Sequence, residues 1–173
     1  KTHLFLDLSD NSDRERLYTE ITDADILLTN YRAETAAKLG VGYEELSAIN
    51  QGLIFIGLDG FEHSDKAAYD VVLQAETGWI SMTGTDPAVP AKLPVALIDL
   101  LAGHQIKEAA LLALLKRAKT GRGSFATCSL EKSSLAALAN QATNYLMCGH
   151  VARPAGTLHP NIAPYGDSFL TAD

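Results

Sequence analysis

Between Lys92 and Ser124 the chain reads K-L-P-V-A-L-I-D-L-L-A-G-H-Q-I-K-E-A-A-L-L-A-L-L-K-R-A-K-T-G-R-G-S, and this stretch constrains the fold more than any other. Its middle repeats alanine and leucine at helical spacing, through Ala109, Leu112, Ala113 and Leu115, which predicts a long apolar helix. Lys116, Arg117 and Lys119 complement the negative end of the helix dipole, and Gly121 and Gly123 stop it. At the other end Asp99 stands where an extended segment after Pro94 turns into helix. A helix this apolar needs a large partner surface, and the flanking sequence supplies strands.

His3–Leu8, Ala24–Thr29, Leu53–Leu58 and Ser124–Leu130 read as strands of β-branched and apolar residues. They alternate with predicted helices over Asp10–Thr22, Ala33–Leu39, Tyr43–Ile49, Ala68–Ile80 and Glu131–Met147, while Gly149–Tyr165 reads as an irregular, proline-marked tail. Apolar strands alternating with helices predict an α/β fold, a Rossmann-like, mostly parallel sheet with helices on both faces. Right-handed crossovers then bring the strand C-termini to one edge, where Asn30 and Gly60 fall and a ligand crevice is expected.

The 173 residues suit one domain with a real core, and a formal charge of −7 gives no support to a nucleic-acid partner. No apolar run is long enough for a membrane-spanning helix. Two cysteines without C-x-x-C spacing, Cys128 and Cys148, predict a reducing, cytoplasmic setting, with Cys128 a small core residue. The five histidines show no metal-ligand spacing, so no metal is expected. No G-x-G-x-x-G, Walker loop or G-x-S-x-G occurs, which removes support from nicotinamide, nucleoside-triphosphate and serine-hydrolase chemistry. The start at Lys1 without Met or targeting signal, and the tail without a closing element, point to a piece of a longer chain.

Ten short motifs then fall in one order. They are Leu4–Leu8 (L-F-L-D-L), Ala24–Arg32 (A-D-I-L-L-T-N-Y-R), Leu39–Leu46 (L-G-V-G-Y-E-E-L) and Asn50–Phe61 (N-Q-G-L-I-F-I-G-L-D-G-F). Lys66–Gly78 (K-A-A-Y-D-V-V-L-Q-A-E-T-G), Ser81–Gly84 (S-M-T-G), Ile98–Gly103 (I-D-L-L-A-G) and Lys119–Gly123 (K-T-G-R-G) follow. Asn140–Leu146 (N-Q-A-T-N-Y-L) and His159–Tyr165 (H-P-N-I-A-P-Y) close the series. Together they resemble the large domain of the class III CoA-transferases, the CaiB/BaiF family that includes formyl-CoA transferase and alpha-methylacyl-CoA racemase.

The resemblance implies that residues 1–173 form part of that large domain, with the family's N-terminal segment, small domain and glycine-rich loop outside them. It implies coenzyme A, carried as an acyl-CoA substrate, a carboxylic acid as co-substrate, and an interlocked homodimer. Asp99 and Gly103 match the family's D-x-x-x-G motif, so Asp99 is the expected nucleophile, passing through a mixed anhydride to an aspartyl-CoA thioester. A helix N-terminus would keep its carboxylate ionised and offer N–H groups to a developing oxyanion. An ordinary N-cap aspartate is the structural alternative.

Tyr69 and Asp70 match the tyrosine–acid pair of the transferases and are expected to line the site by hydrogen bonding. Racemases carry His–Asp there, and a tyrosine with a reference pKa of about 10 is a poor base for an α-proton at neutral pH. For coenzyme A, Leu6 and Leu8 match positions flanking the adenine, Asn30 and Tyr31 match the N-F/Y pair, and Lys38 a phosphate-contacting base. Ser9 stands where the family often has a basic residue. Leu6 and Leu8 serve equally well as ordinary core. A CoA-binding or assembly module without turnover is the second functional class, and a racemase the third.

Overall fold

The computed structural model describes residues 1–64, 66–162 and 168–172. The chain divides into two compact units, Lys1–Asp59 with Gly103–Cys128, and Gly60–Ala102 with Ser129–Asp173. No helix among the described residues is long and apolar enough to cross a membrane.

In the first unit α1 (Asn11–Asp23) starts at Asp10, whose carboxylate accepts the N–H groups of Ser12 and Asp13 at 2.8 and 3.1 Å. β1 (Ile26–Thr29), α2 (Ala33–Lys38), α3 (Tyr43–Ile49) and β2 (Ile54–Asp59) follow. The sheet order is β1-β2-β3, with β3 at Ser124–Ser129, and β1 runs parallel to β2 with Ile26 opposite Ile54 and Leu28 opposite Ile56.

Side chains alternate along β2 because the strand repeat is two residues. Leu53 and Phe55 join Ile21, Ala36 and Leu46 in one buried cluster. Ile54 and Ile56 join Ala113 and Cys128 in another, which Ile106 and Ala109 extend along α6 (Leu97–Thr120). Helices therefore cover both faces of the sheet, as the sequence predicts. Cys128 is core, and burial pushes its thiol upward.

The predicted strand at His3–Leu8 does not pair with the sheet. Asp7 Oδ1 accepts the N–H of Ser9 at 3.0 Å, and the Asp7 carbonyl accepts that of Asp10 at 2.9 Å. This local turn chemistry competes with the extended ladder and wins, leaving Phe5 exposed.

The second unit contains α4 (Asp70–Glu76), α5 (Trp79–Met82), residues 97–102 of α6, α7 (Leu130–Ala137) and α8 (Asn140–Cys148). The single helix predicted over Ala68–Ile80 is interrupted at Gly78, whose φ of +90° suits glycine and breaks the ladder. Beside the break, Thr77 and Trp79 both reach the Ser134 hydroxyl, at 2.5 and 3.0 Å.

The helix predicted over Glu131–Met147 is likewise two, split at Ala139 with φ 47° and ψ −113°. Alanine is the strongest helix former, so no local preference signals that break. The tail from Gly149 to Ile162 is irregular, as expected, and the end of the H-P-N-I-A-P-Y motif, Ala163–Tyr165, lies outside the described residues.

Candidate functional site

The first turn of α6 cannot satisfy its own N–H groups within the helix, and each needs an acceptor from outside. Leu97 N–H finds the Val95 carbonyl at 2.8 Å, and Leu100 N–H the Ala96 carbonyl at 3.1 Å. Ile98 N–H donates to Asp70 Oδ1 at 2.7 Å. Asp70, the first residue of α4, therefore caps α6 from another helix. Asp99 is the third residue of α6 and not its N-cap, so the alternative of an ordinary capping aspartate does not hold.

The Asp99 side chain is exposed, and its carboxylate accepts no hydrogen bond from the described residues. Its own N–H is also without an acceptor among them. Partial burial, and then the Asp70 charge, hold its carboxyl above the ordinary aspartate value. The expected lowering by the helix N-terminus is thus reversed in direction. Desolvation and a like charge outweigh a dipole that acts through a solvated first turn.

Tyr69 precedes α4, is 68% exposed, and its hydroxyl makes no hydrogen bond with a described residue. Asp70 does form hydrogen bonds, but toward the α6 backbone and Gln74. Gln74 was not singled out from the sequence. It is 1% exposed, donates through Nε2 to Asp70 Oδ2 and, at 3.4 Å, to the Val95 carbonyl, and accepts Leu93 N–H at 2.8 Å. The available signal was a glutamine four residues after an aspartate within V-V-L-Q-A, a spacing that places the pair on one helix face.

The residues matched to coenzyme A lie in the first unit. Asn30 and Tyr31 are exposed at the C-terminal end of β1, the ligand-bearing edge of a parallel sheet, and Tyr31 N–H donates to Thr29 Oγ1. Lys38 is exposed in the last turn of α2. Leu8 packs against the Ile21–Phe55 cluster, as an ordinary core residue would, while Leu6 is half-buried and belongs to neither core cluster. Among the described residues no group of three or more His, Cys, Asp and Glu side chains is placed to hold a metal ion. A separate cleft of about 740 Å³ in the second unit, lined by Gln141, His150 and Arg153 among others, contains none of the predicted site residues.

The model of CoA-transferase family III matches residues 1–173. The succinate–glutarate CoA-transferase of Agrobacterium fabrum is 34% identical over 87% of this chain and 40% of its own length. The human succinyl-CoA:glutarate CoA-transferase is 33% identical over 86% of this chain and 35% of its own. The crystal structure of a CaiB/BaiF family protein from Brucella suis superposes with a TM-score of 0.85 at 35% identity, over 92% of this chain and 43% of that one. The chain thus spans less than half the length of the relatives it matches. With a family model matched from end to end and a fold shared with a solved member, the chain belongs to the class III CoA-transferase family.

Proposed function

We propose that this chain is the large-domain portion of an enzyme that moves coenzyme A between an acyl-CoA and a carboxylic acid, with Asp99 as nucleophile. The observation that carries the reading is the Asp99 carboxylate, exposed, free of hydrogen bonds from the described residues and raised above its ordinary pKa. A carboxylate that nothing holds is more basic and more nucleophilic than one used as a cap. The relatives support the class, since their names describe CoA transfer to dicarboxylic acids.

In the proposed sequence an Asp99 oxygen attacks the thioester carbonyl and the C–S bond breaks. This leaves a mixed anhydride and coenzyme A thiolate. The thiolate attacks the Asp99 carbonyl, forming an aspartyl-CoA thioester and releasing the donor acid. The incoming carboxylate attacks that thioester, expelling thiolate and forming a second anhydride. Thiolate attack on its acyl carbon yields the new acyl-CoA and regenerates Asp99. No net proton or electron is needed. The Asp99 N–H, without an acceptor among the described residues, is a candidate donor to a developing oxyanion.

Asn30, Tyr31 and Lys38 would hold the nucleotide and its phosphates, with Leu6 and Leu8 beside the adenine. Tyr69, exposed before α4 with its hydroxyl bonded to no described residue, would line the site by hydrogen bonding, as would Asp70. A homodimer is the proposed assembly. Incubation with succinyl-CoA, quenching with hydroxylamine or borohydride and peptide mass spectrometry tests the scheme. A modified Asp99 is expected, and acyl exchange with Asp99 unmodified would refute it. Retention of coenzyme A without exchange or modification would instead indicate a binding module.

A further inference from the structure

We propose that Gln74 is a positioning residue for this reaction, its buried amide locking Asp70 and the 93–95 segment into the arrangement that presents Asp99. The inference rests on the reading of Asp99 as nucleophile. Gln74 reaches three places at once: the Asp70 carboxylate, the Leu93 N–H and the Val95 carbonyl. Asp70 in turn accepts Ile98 N–H, the residue before Asp99. Leu93 and Val95 flank Pro94 in the entry to α6, so one amide fixes both the entry segment and the cap of that helix.

A glutamine at 1% exposure keeps such contacts only if each polar atom is satisfied. Both faces of its amide are satisfied here, with a donor facing the carboxylate and an acceptor facing an N–H. A leucine or methionine in this place would fill the volume and leave Leu93 N–H and an Asp70 oxygen without partners. Groups facing the amide are thus Asp70 and the backbone of Leu93 and Val95, and Asp99 lies beyond Asp70.

Gln74→Met and Gln74→Glu in the intact protein test this. With Gln74→Met, kcat falls by about 10- to 100-fold while KM for succinyl-CoA stays within about 2-fold, because geometry and not substrate binding is lost. Amide exchange at Ile98 quickens in the same variant. In Gln74→Glu the new carboxyl repels Asp70 when ionised. When protonated it has one O–H donor and one carbonyl acceptor, so the activity ratio to wild type climbs as pH falls.

A kcat equal to wild type in Gln74→Met, unchanged exchange at Ile98, or a ratio flat with pH in Gln74→Glu overturns the inference. The Ile98 exchange readout needs no assumption about Asp99, so failure of the nucleophile reading and failure of the clamp are separable. Should Gln74→Met not fold, Gln74→Glu keeps the side-chain length and decides alone.

Discussion

Asp99 loses solvent through partial burial and, to a lesser degree, faces the Asp70 charge, and this has consequences for stability as well as chemistry. Its folded pKa is raised, so the folded state holds that proton more tightly than the unfolded chain does. The stabilising effect is complete below the ordinary aspartate range and is lost as pH rises through the raised folded value. At neutral pH the charged Asp99 therefore disfavours folding. Asp99→Asn is expected to abolish transfer yet raise the thermal midpoint at pH 7 by about 1–2 °C, with no gain near pH 3. Solvent and salt screen this exposed group, so the gain shrinks at high ionic strength. Calorimetry at the two pH values checks the sign. Asp70→Asn removes the second cause of the shift, so the acidic limb of the kcat–pH profile should move to lower pH. The same substitution weakens the cap on Ile98 and should cost about 1 kcal/mol in urea unfolding.

The elements legible in the sequence are those whose signals are local. Asp10, where the first predicted helix begins, caps α1 with its carboxylate, and α2 and α3 match their predicted bounds closely because the Gly40-Val41-Gly42 turn separates them. The misses fall where the backbone departs from what the residue pattern favours. Ala139 takes a backbone angle that its own residue type disfavours, and the Asp7–Ser9 turn overrides an alternating apolar pattern. At the candidate site Asp99 was legible from its motif, whereas the contacts of Gln74 are with Leu93 and Asp70, 19 and 4 positions away in sequence. Glycines show how packing decides what residue type leaves open. A Cβ at Gly123 would stand 1.9 Å from the Leu53 carbonyl oxygen, while one at Gly103, within α6, would meet nothing within 4 Å. Gly123→Ala should therefore destabilise by at least about 2 kcal/mol, and Gly103→Ala should stabilise by about 0.5–1 kcal/mol. Opposite shifts in urea midpoint are the expected result, and equal shifts would contradict the packing described here.

At the scale of the whole molecule, α6 is apolar on more than the face it buries. Ile106, Ala109 and Ala113 cover the sheet cluster, whereas Leu111, Leu112 and Leu115 are 55%, 68% and 62% exposed on the other side. The exposed side also carries Lys107, Glu108 and Lys116, so the three leucines form an apolar patch bordered by charge. Their exposure supports the proposed association with a second copy, and Leu112 and Leu115, read from the sequence as part of an apolar helix, are exposed although Ala109 and Ala113 of the same run face the sheet. Since the patch stands apart from the sheet cluster, charging it should leave that core intact. Leu111→Glu combined with Leu115→Glu is expected to convert a concentration-dependent dimer into a monomer of 18.5 kDa in sedimentation velocity, with the far-ultraviolet circular dichroism unchanged. An unaltered protein that stays monomeric at every concentration, or a charged variant that still dimerises, would show that copies of this chain do not meet through α6.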